Sequence, residues 1–509
     1  MKRTILFISL FQVLTVAAQN DEGTYRYDDA TQLWRLTDNA ATLGLDSTRN
    51  RGYALFNGEH HSGDYARVQE GTQTNQLRFQ SERYQTIGKY LHAYGRFDFD
   101  YGRTKNRAWA DVMRPYNANP FFSGSAIAGK YDFQDFDFTA SMGTISFGGW
   151  RFGLKLDYKV GDLSRLRDPR PRLQSLDYRL VPAVAYTTGH HTFALSGSYE
   201  RRKEKLTGVK NMQSNATIKY YFMSGMEQAD GKTNGYESFW REWVDHRFGG
   251  ELTYGYRNGD QQTLLSLHME RGEEYAYEQY KYEPGRFVDY RYGASLHFRE
   301  PSGQGNVIHQ ADFSIDYQQA YADEYRQQLR QEKDIETSLT SYHYDNILTY
   351  KKRYQVNTLD ADFRYRAHFV KEKREYAFIG WNMEFKTAEN KRLLPVSELH
   401  YGGVCMTAEG GISITRRLWI DTSIGGFLSD DATISLADPT TDYAQQVLLP
   451  DMYYYAANYW RGRLQVTYQF PVKIKGMKTQ WFVRAYGDYL RTDNHLDGKS
   501  VGLTVGLYN

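Results

Sequence analysis

The chain has 509 residues, and its 63 basic and 61 acidic side chains leave a formal net charge of +2, a balance that argues against a nucleic-acid or strongly acidic partner. It carries 44 Tyr, 27 Phe and 9 Trp at a mean hydropathy of −0.70, and no stretch approaches the roughly 20 uninterrupted apolar residues of a spanning helix. The single cysteine, Cys405, excludes an internal disulfide.

Lys2 and Arg3 precede a short apolar run from Ile5 to Leu14, and Val16 with Ala18 fits the small-residue cleavage rule. Residues 1–18 therefore read as a signal peptide. Residues 19–62 are expected to form an N-terminal segment, periplasmic or lumenal. Within it Leu33, Leu36, Ala40 and Leu43 recur at helical spacing, which predicts one short amphipathic helix packed on a rim, or a small plug inside a lumen as the alternative. His60 and His61 lie between two short strand-like pieces and read as a polar turn, because no ligand partner stands at a metal-binding spacing.

From residue 63 to 509 long strands dominate. Asn75 to Tyr84 and Leu91 to Tyr101 form a hairpin. In Arg151 to Val160, Phe152, Leu154, Leu156 and Tyr158 alternate with Arg151, Lys155, Asp157 and Lys159. Val288 to Phe298 and Ala311 to Tyr317 repeat the pattern across the turn residues Pro301 to Gly305, and Leu359 to Phe369 repeats it again. These runs reach the roughly 9 to 11 residues of a tilted membrane strand. Short turns near Gly148, Gly189, Asn258, Pro301, Lys371, Ile414 and Pro471 alternate with long connections, which is consistent with short periplasmic turns and long extracellular loops. The expected fold is all-β: a transmembrane antiparallel β-barrel of about 18 strands, or 16 if the first hairpin lies outside it.

Two loop features carry further expectations. The run EYRQQLRQEKDIE from Glu324 reads as a solvated helix, with a ligand-contacting lid as the alternative, and the aromatic cluster Met452 to Tyr455, with Tyr459 and Trp460, as girdle residues at the lipid boundary, with a carbohydrate-stacking surface as the alternative. At the end of the chain Val501, Leu503, Val505 and Leu507 alternate with Gly502, Thr504 and Gly506 before Tyr508 and Asn509.

That last strand resembles the terminal strand of Gram-negative outer-membrane proteins, the one read by their insertion machinery. With the signal peptide, the repeated strands and the Gly95 to Phe97 hairpin, the chain resembles a Gram-negative outer-membrane β-barrel protein and is most similar to uncharacterised single-chain barrel families. The resemblance implies outer-membrane lipid and the barrel-insertion machinery as partners. TonB-dependent transporters carry a large folded plug before the barrel, for which too few residues are present here.

The chemistry sought and not found includes a G-x-S-x-G elbow and an H-E-x-x-H site, so no catalytic residue, metal or cofactor is expected. Asp289, Arg291, Asp360, Asp362, Arg364, Arg366, Arg461, Arg463, Arg484 and Asp488 fall on inward phases and are expected to line the lumen, with a water path between fixed charges of both signs. The leading expectation is a porin or channel for an unknown small solute. A surface binding or assembly protein with an occluded lumen is the alternative, and an outer-membrane barrel enzyme a weaker one.

Overall fold

The structure, a computed structural model, describes residues 21–46, 50–211, 218–232, 239–302, 305–333, 340–430, 432–474 and 477–508; the expected signal peptide lies outside them. Eighteen long strands follow in chain order: β1 Arg51–Gly63, β2 Gln73–Ile87, β3 Leu91–Arg107, β4 Gly129–Thr144, β5 Trp150–Ser164, β6 Arg172–Thr188, β7 His191–Val209, β8 Phe239–Asn258 and β9 Gln261–Tyr277. The second half comprises β10 Gly285–Pro301, β11 Val307–Lys333, β12 Thr340–Lys371, β13 Arg374–Arg392, β14 Ser397–Thr415, β15 Leu418–Ser429, β16 Tyr459–Ile474, β17 Met477–Thr492 and β18 Asp497–Tyr508. Each pairs antiparallel with the next, and β1 pairs with β18 from Tyr53 opposite Tyr508 to Gly63 opposite Gly498. The sheet is therefore a closed 18-stranded barrel. A short extra strand, Thr433–Ser435, adds beside β14.

Closure follows from the solvent. In hydrocarbon an unpaired strand edge has no water to satisfy its N–H and C=O groups, so a sheet that spans must join its own ends. The alternation fixes which face meets lipid. Leu265, Leu267 and Met269 on β9 stand opposite Leu296, Ala294 and Tyr292 on β10, and the large side chains of these rows are exposed on the outside. One residue out of phase, Glu270 opposes Arg291 on the inside. Among the described residues no helix is long and apolar enough to cross a membrane; the crossing is made by strands.

The barrel begins at Arg51 and not at residue 63. His60 and His61 are part of β1, where His60 Nδ1 lies 2.7 Å from Asn75 Oδ1 and His61 Nδ1 lies 3.1 Å from Ser500 Oγ. The polar residues that looked like a turn are strand positions bonded to the neighbours on either side. In the run from Glu324, the described part to Lys333 is strand, paired with residues 340–350 of β12. Its local preference for helix is overridden by the ladder and by cross-strand pairs such as Leu329 opposite Tyr344. At about 3.3 Å per residue, the 27 residues of β11 and 32 of β12 far exceed an apolar band about 25 Å tall, so this hairpin projects beyond the long-loop end.

The expected helix is also displaced. Helix α1 spans Glu22–Thr31, with Asp21 accepting from the Thr24 N–H at 3.0 Å as its N-cap, while Trp34–Leu36 and Ala40–Thr42 form only single 3₁₀ turns. Leu33 and Trp34 are held by the barrel wall in place of a helical face of their own.

Candidate functional site

Residues 21–46 pack against inward-phase side chains of the barrel strands at the end that carries the short turns. They fall into two parts with different chemistry. Helix α1 is held by charge. Arg26 donates two hydrogen bonds to Asp421 at 2.8 and 2.7 Å and one to Glu22 at 2.8 Å, and its guanidinium lies 4.4 Å over the Trp419 ring. Glu22 also accepts from Arg484 at 3.3 Å and from the Tyr508 hydroxyl, and Asp21 pairs with Arg374. Burial raises the Glu22 carboxyl, but Arg26 and Arg484 outweigh it and hold the group below the usual carboxylate range. On the other flank Tyr25 donates to Glu82 at 2.9 Å.

The part from Leu33 to Asp46 is an apolar anchor. Leu33, Trp34 and Ala41 pack with Ala185, Ala194 and Leu264. The wall is hollowed to receive them: a Cβ on Gly153 would lie 2.2 Å from Ala41 N, and one on Gly255 2.2 Å from the Trp34 ring. These inward glycines at the short-turn end are a signal that sequence inspection could have caught. Asp38 completes the anchor with Lys155 at 2.7 Å and with Arg179. Burial pushes that carboxyl up, and the two cations bring it down to about 2.

The opposite mouth is filled by three inward-folded loops. Ser123–Ser125, Tyr220–Met223 and Ala229–Lys232 form a small three-stranded sheet, and helix α2, Leu449–Tyr455, closes against it. Asp111 accepts from the Tyr131 and Tyr220 hydroxyls at 2.9 Å each, Trp243 donates to the Phe121 carbonyl at 2.8 Å, and the Trp109 and Tyr221 rings lie 4.3 Å apart. Inward apolar residues from β5 to β12, among them Leu163, Leu206 and Val356, surround this cluster. Tyr454 and Tyr455 belong to it: Tyr455 stacks on Tyr401 at 3.9 Å and Tyr454 on Tyr65 at 4.4 Å. They are therefore lumen-side packing residues and not part of a lipid girdle, whereas Trp460 is exposed on the outside.

Between the two closures the lumen holds cavities. The upper one, about 560 Å³, is bordered by Asp289, Arg291 and Asp360. Asp289 accepts from Arg247 at 2.8 and 3.0 Å and from Arg291 at 2.9 Å. A lower cavity of about 770 Å³ beside α1 is bordered by Asp362, Arg364, Arg366, Arg463 and Arg484, where Arg366 forks onto Glu409 at 2.6 and 2.8 Å. A third, of about 380 Å³, lies near Asp38 and is also bordered by Arg291. Arg461 and Asp488 border none of these three: Arg461 donates to Thr407 at 3.3 Å, and Asp488 lies 3.5 Å from Arg463. The lumen is thus occupied at both ends, where an unobstructed water path had been expected.

Sequence reading missed Arg202, Asp245, Arg247 and Glu274 in the upper cavity. Asp245 lies in β8, which begins at Phe239 within one of the long connections between the turns, so its inward phase is hidden from a local reading. Cys405 borders the upper cavity, and Met406 points outward. Among the described residues no group of three or more His, Cys, Asp or Glu is arranged to hold a metal ion.

A closed barrel with an apolar exterior and charged interior is an outer-membrane β-barrel protein. From residue 40 to 509 the chain matches the family described as Family of unknown function (DUF6850), and it belongs to that family. No curated protein sequence matches it. Among solved structures it is similar to the copper transporter OprC, with 8% identity, TM-score 0.40, and 90% of this chain covering 80% of that one. Similarity also extends to the FrpB iron transporter from Neisseria meningitidis, with 10% identity, TM-score 0.39, and 93% covering 83%. A third is the ferric yersiniabactin uptake receptor FyuA from Yersinia pestis, with 9% identity, TM-score 0.39, and 91% covering 80%.

Proposed function

We propose that the protein is a gated, non-catalytic conduit of the outer membrane for a small polar solute, with α1 as the gate on the periplasmic side. The observation that carries this is the unequal fastening of residues 21–46. Leu33 to Asp46 is bound by an apolar patch, while α1 is bound almost wholly by hydrogen bonds and ion pairs to Asp421, Arg484, Tyr508 and Arg374. A polar latch can exchange its partners for water at modest net cost, whereas an apolar anchor cannot. The segment is therefore built to release one part and keep the other.

The test is conductance in planar bilayers. Full-length protein is expected to show low, intermittent current, and deletion of residues 21–46 to raise it, with the outer loops still in place. If the deletion variant inserts and stays silent, the conduit fails. The surface-binding reading, which the projecting β11–β12 hairpin favours, then replaces it.

A further inference from the structure

We propose that the upper lumenal cavity is a binding site for a neutral polyhydroxylated ring, a mono- or disaccharide, deepening the conduit reading and resting on it only for how the ligand passes. The first observation is a wall of aromatic rings. Tyr65, Tyr454, Tyr401, Tyr455, Tyr459 and Phe427 all border the cavity, and they are stacked in pairs: Tyr65 on Tyr454 at 4.4 Å, Tyr401 on Tyr455 at 3.9 Å, and Phe427 on Tyr459 at 5.2 Å. Pairing fixes each ring in place, so an aromatic border is held with little rotamer freedom left to lose. The C–H face of a pyranose is the polar solute surface that such a wall accepts.

The second observation is independent of the first. Asp245 is 2% exposed and borders the cavity, yet neither of its carboxylate oxygens has a hydrogen-bond partner among the described residues. Its neighbours Arg247 and Arg202 stand 3.6 and 4.0 Å away, near enough to offset its charge and too far to fill its lone pairs. Tyr116, Asn117 and Asn119, on the loop between β3 and β4, border the same cavity, and the Tyr116 hydroxyl, Asn117 Oδ1 and Asn119 Nδ2 are likewise buried without partners among the described residues. Buried polar atoms left unpaired cost stability, so acceptors and donors on residues that border one cavity are explained by a ligand that brings both. A sugar hydroxyl both donates and accepts.

Charge selects among ligands with hydroxyl groups. The lining holds six cationic side chains against five carboxylates, so the cavity offers no strong field to an anion or a cation. Its volume of about 560 Å³ falls within the range of small-molecule sites, and a peptide or a large chelate would not be enclosed.

The experiment uses full-length protein in detergent and equilibrium dialysis against radiolabelled maltose and glucose, with glucuronate, glucosamine and open-chain mannitol as comparisons. Maltose or glucose is expected to bind saturably and at least tenfold more tightly than the other three. Asp245→Asn and Tyr116→Phe, which keep shape, are each expected to weaken that binding about tenfold. The proposal is overturned if neither neutral sugar binds, if a charged sugar or mannitol binds as well, or if both substitutions leave binding unchanged. Conductance separates the two readings. A deletion of residues 21–46 that conducts, in protein that binds no neutral sugar, removes this inference alone. Sugar binding sensitive to Asp245→Asn in a barrel that never conducts upholds it and removes the conduit.

Discussion

The hydroxyl of Tyr508, at the end of the last strand, donates a hydrogen bond to the carboxylate of Glu22, the first residue of α1. Both side chains are buried, and the contact joins the two ends of the described chain across 486 positions. Val501, Leu503 and Val505 of the same strand face lipid, while Tyr508 lies on the inward phase. The strand whose alternate residues face lipid is therefore also a fastening for the segment inside the lumen.

Because Glu22 neutralises Arg26 and Arg484 together, removing it takes a buried carboxylate from two partly buried guanidinium groups, of which Arg26 keeps Asp421. Glu22→Ala is expected to weaken docking of α1 by about 3 kcal/mol, the cost of breaking a buried pair from one side, and Tyr508→Phe by about 1 kcal/mol, that of one hydrogen bond. Limited trypsin cleavage at Arg26 in folded barrels reads this directly. Equal protection of wild type and Glu22→Ala would show that the latch does not hold the helix.

The anchor makes a separate prediction. Gly255→Val places side-chain atoms where the Trp34 ring now sits, and Gly153→Val does the same against the backbone of Ala41. Each is expected to expel the stretch from Leu33 to Asp46, costing about 1 to 3 kcal/mol as an overpacked contact does. Faster amide exchange in residues 33–46, with the barrel strands unchanged, is the expected record. Unchanged exchange in both variants would mean that the segment is held elsewhere.

The outer closure should respond to pH. Asp451 in α2 is buried, and its Oδ1 accepts from the Val68 N–H at 3.0 Å. Burial raises its carboxyl to about 7; the Val68 amide and Arg67 pull the other way, Glu70 adds to the rise, and Tyr116 and Tyr443 also face it. A carboxyl raised on docking is most stabilising while protonated. Its contribution is complete below the unfolded value of about 4 and fades as pH rises through about 7. Protection of the amides in residues 443–458, taken relative to their intrinsic base-catalysed exchange, is therefore expected to fall from pH 6 to pH 8.5, and Asp451→Asn to flatten that slope. A slope that survives the substitution assigns the effect to another group.

What the sequence determined by itself was the wall. Period-two alternation is a local property, because successive side chains of any strand face opposite ways, and so Phe152 to Tyr158 and Val501 to Leu507 declared an apolar exterior before any partner strand was known. The class of fold, the count near 18 and the two kinds of connection follow from repeating that local rule. The same local rule puts Asp289, Arg291, Asp362 and Arg366 on the phase opposite to the apolar one. What fills the wall was decided only by tertiary structure. Glu22 meets Arg484, Asp38 meets Lys155 and Arg179, and Asp245 borders one cavity with Tyr116, through contacts spanning more than a hundred positions. No short-range pattern encodes such contacts; closing the barrel is what brings these residues to one axis. The run from Glu324 shows the same limit, since its helical preference yields to a ladder whose other half begins at Thr340.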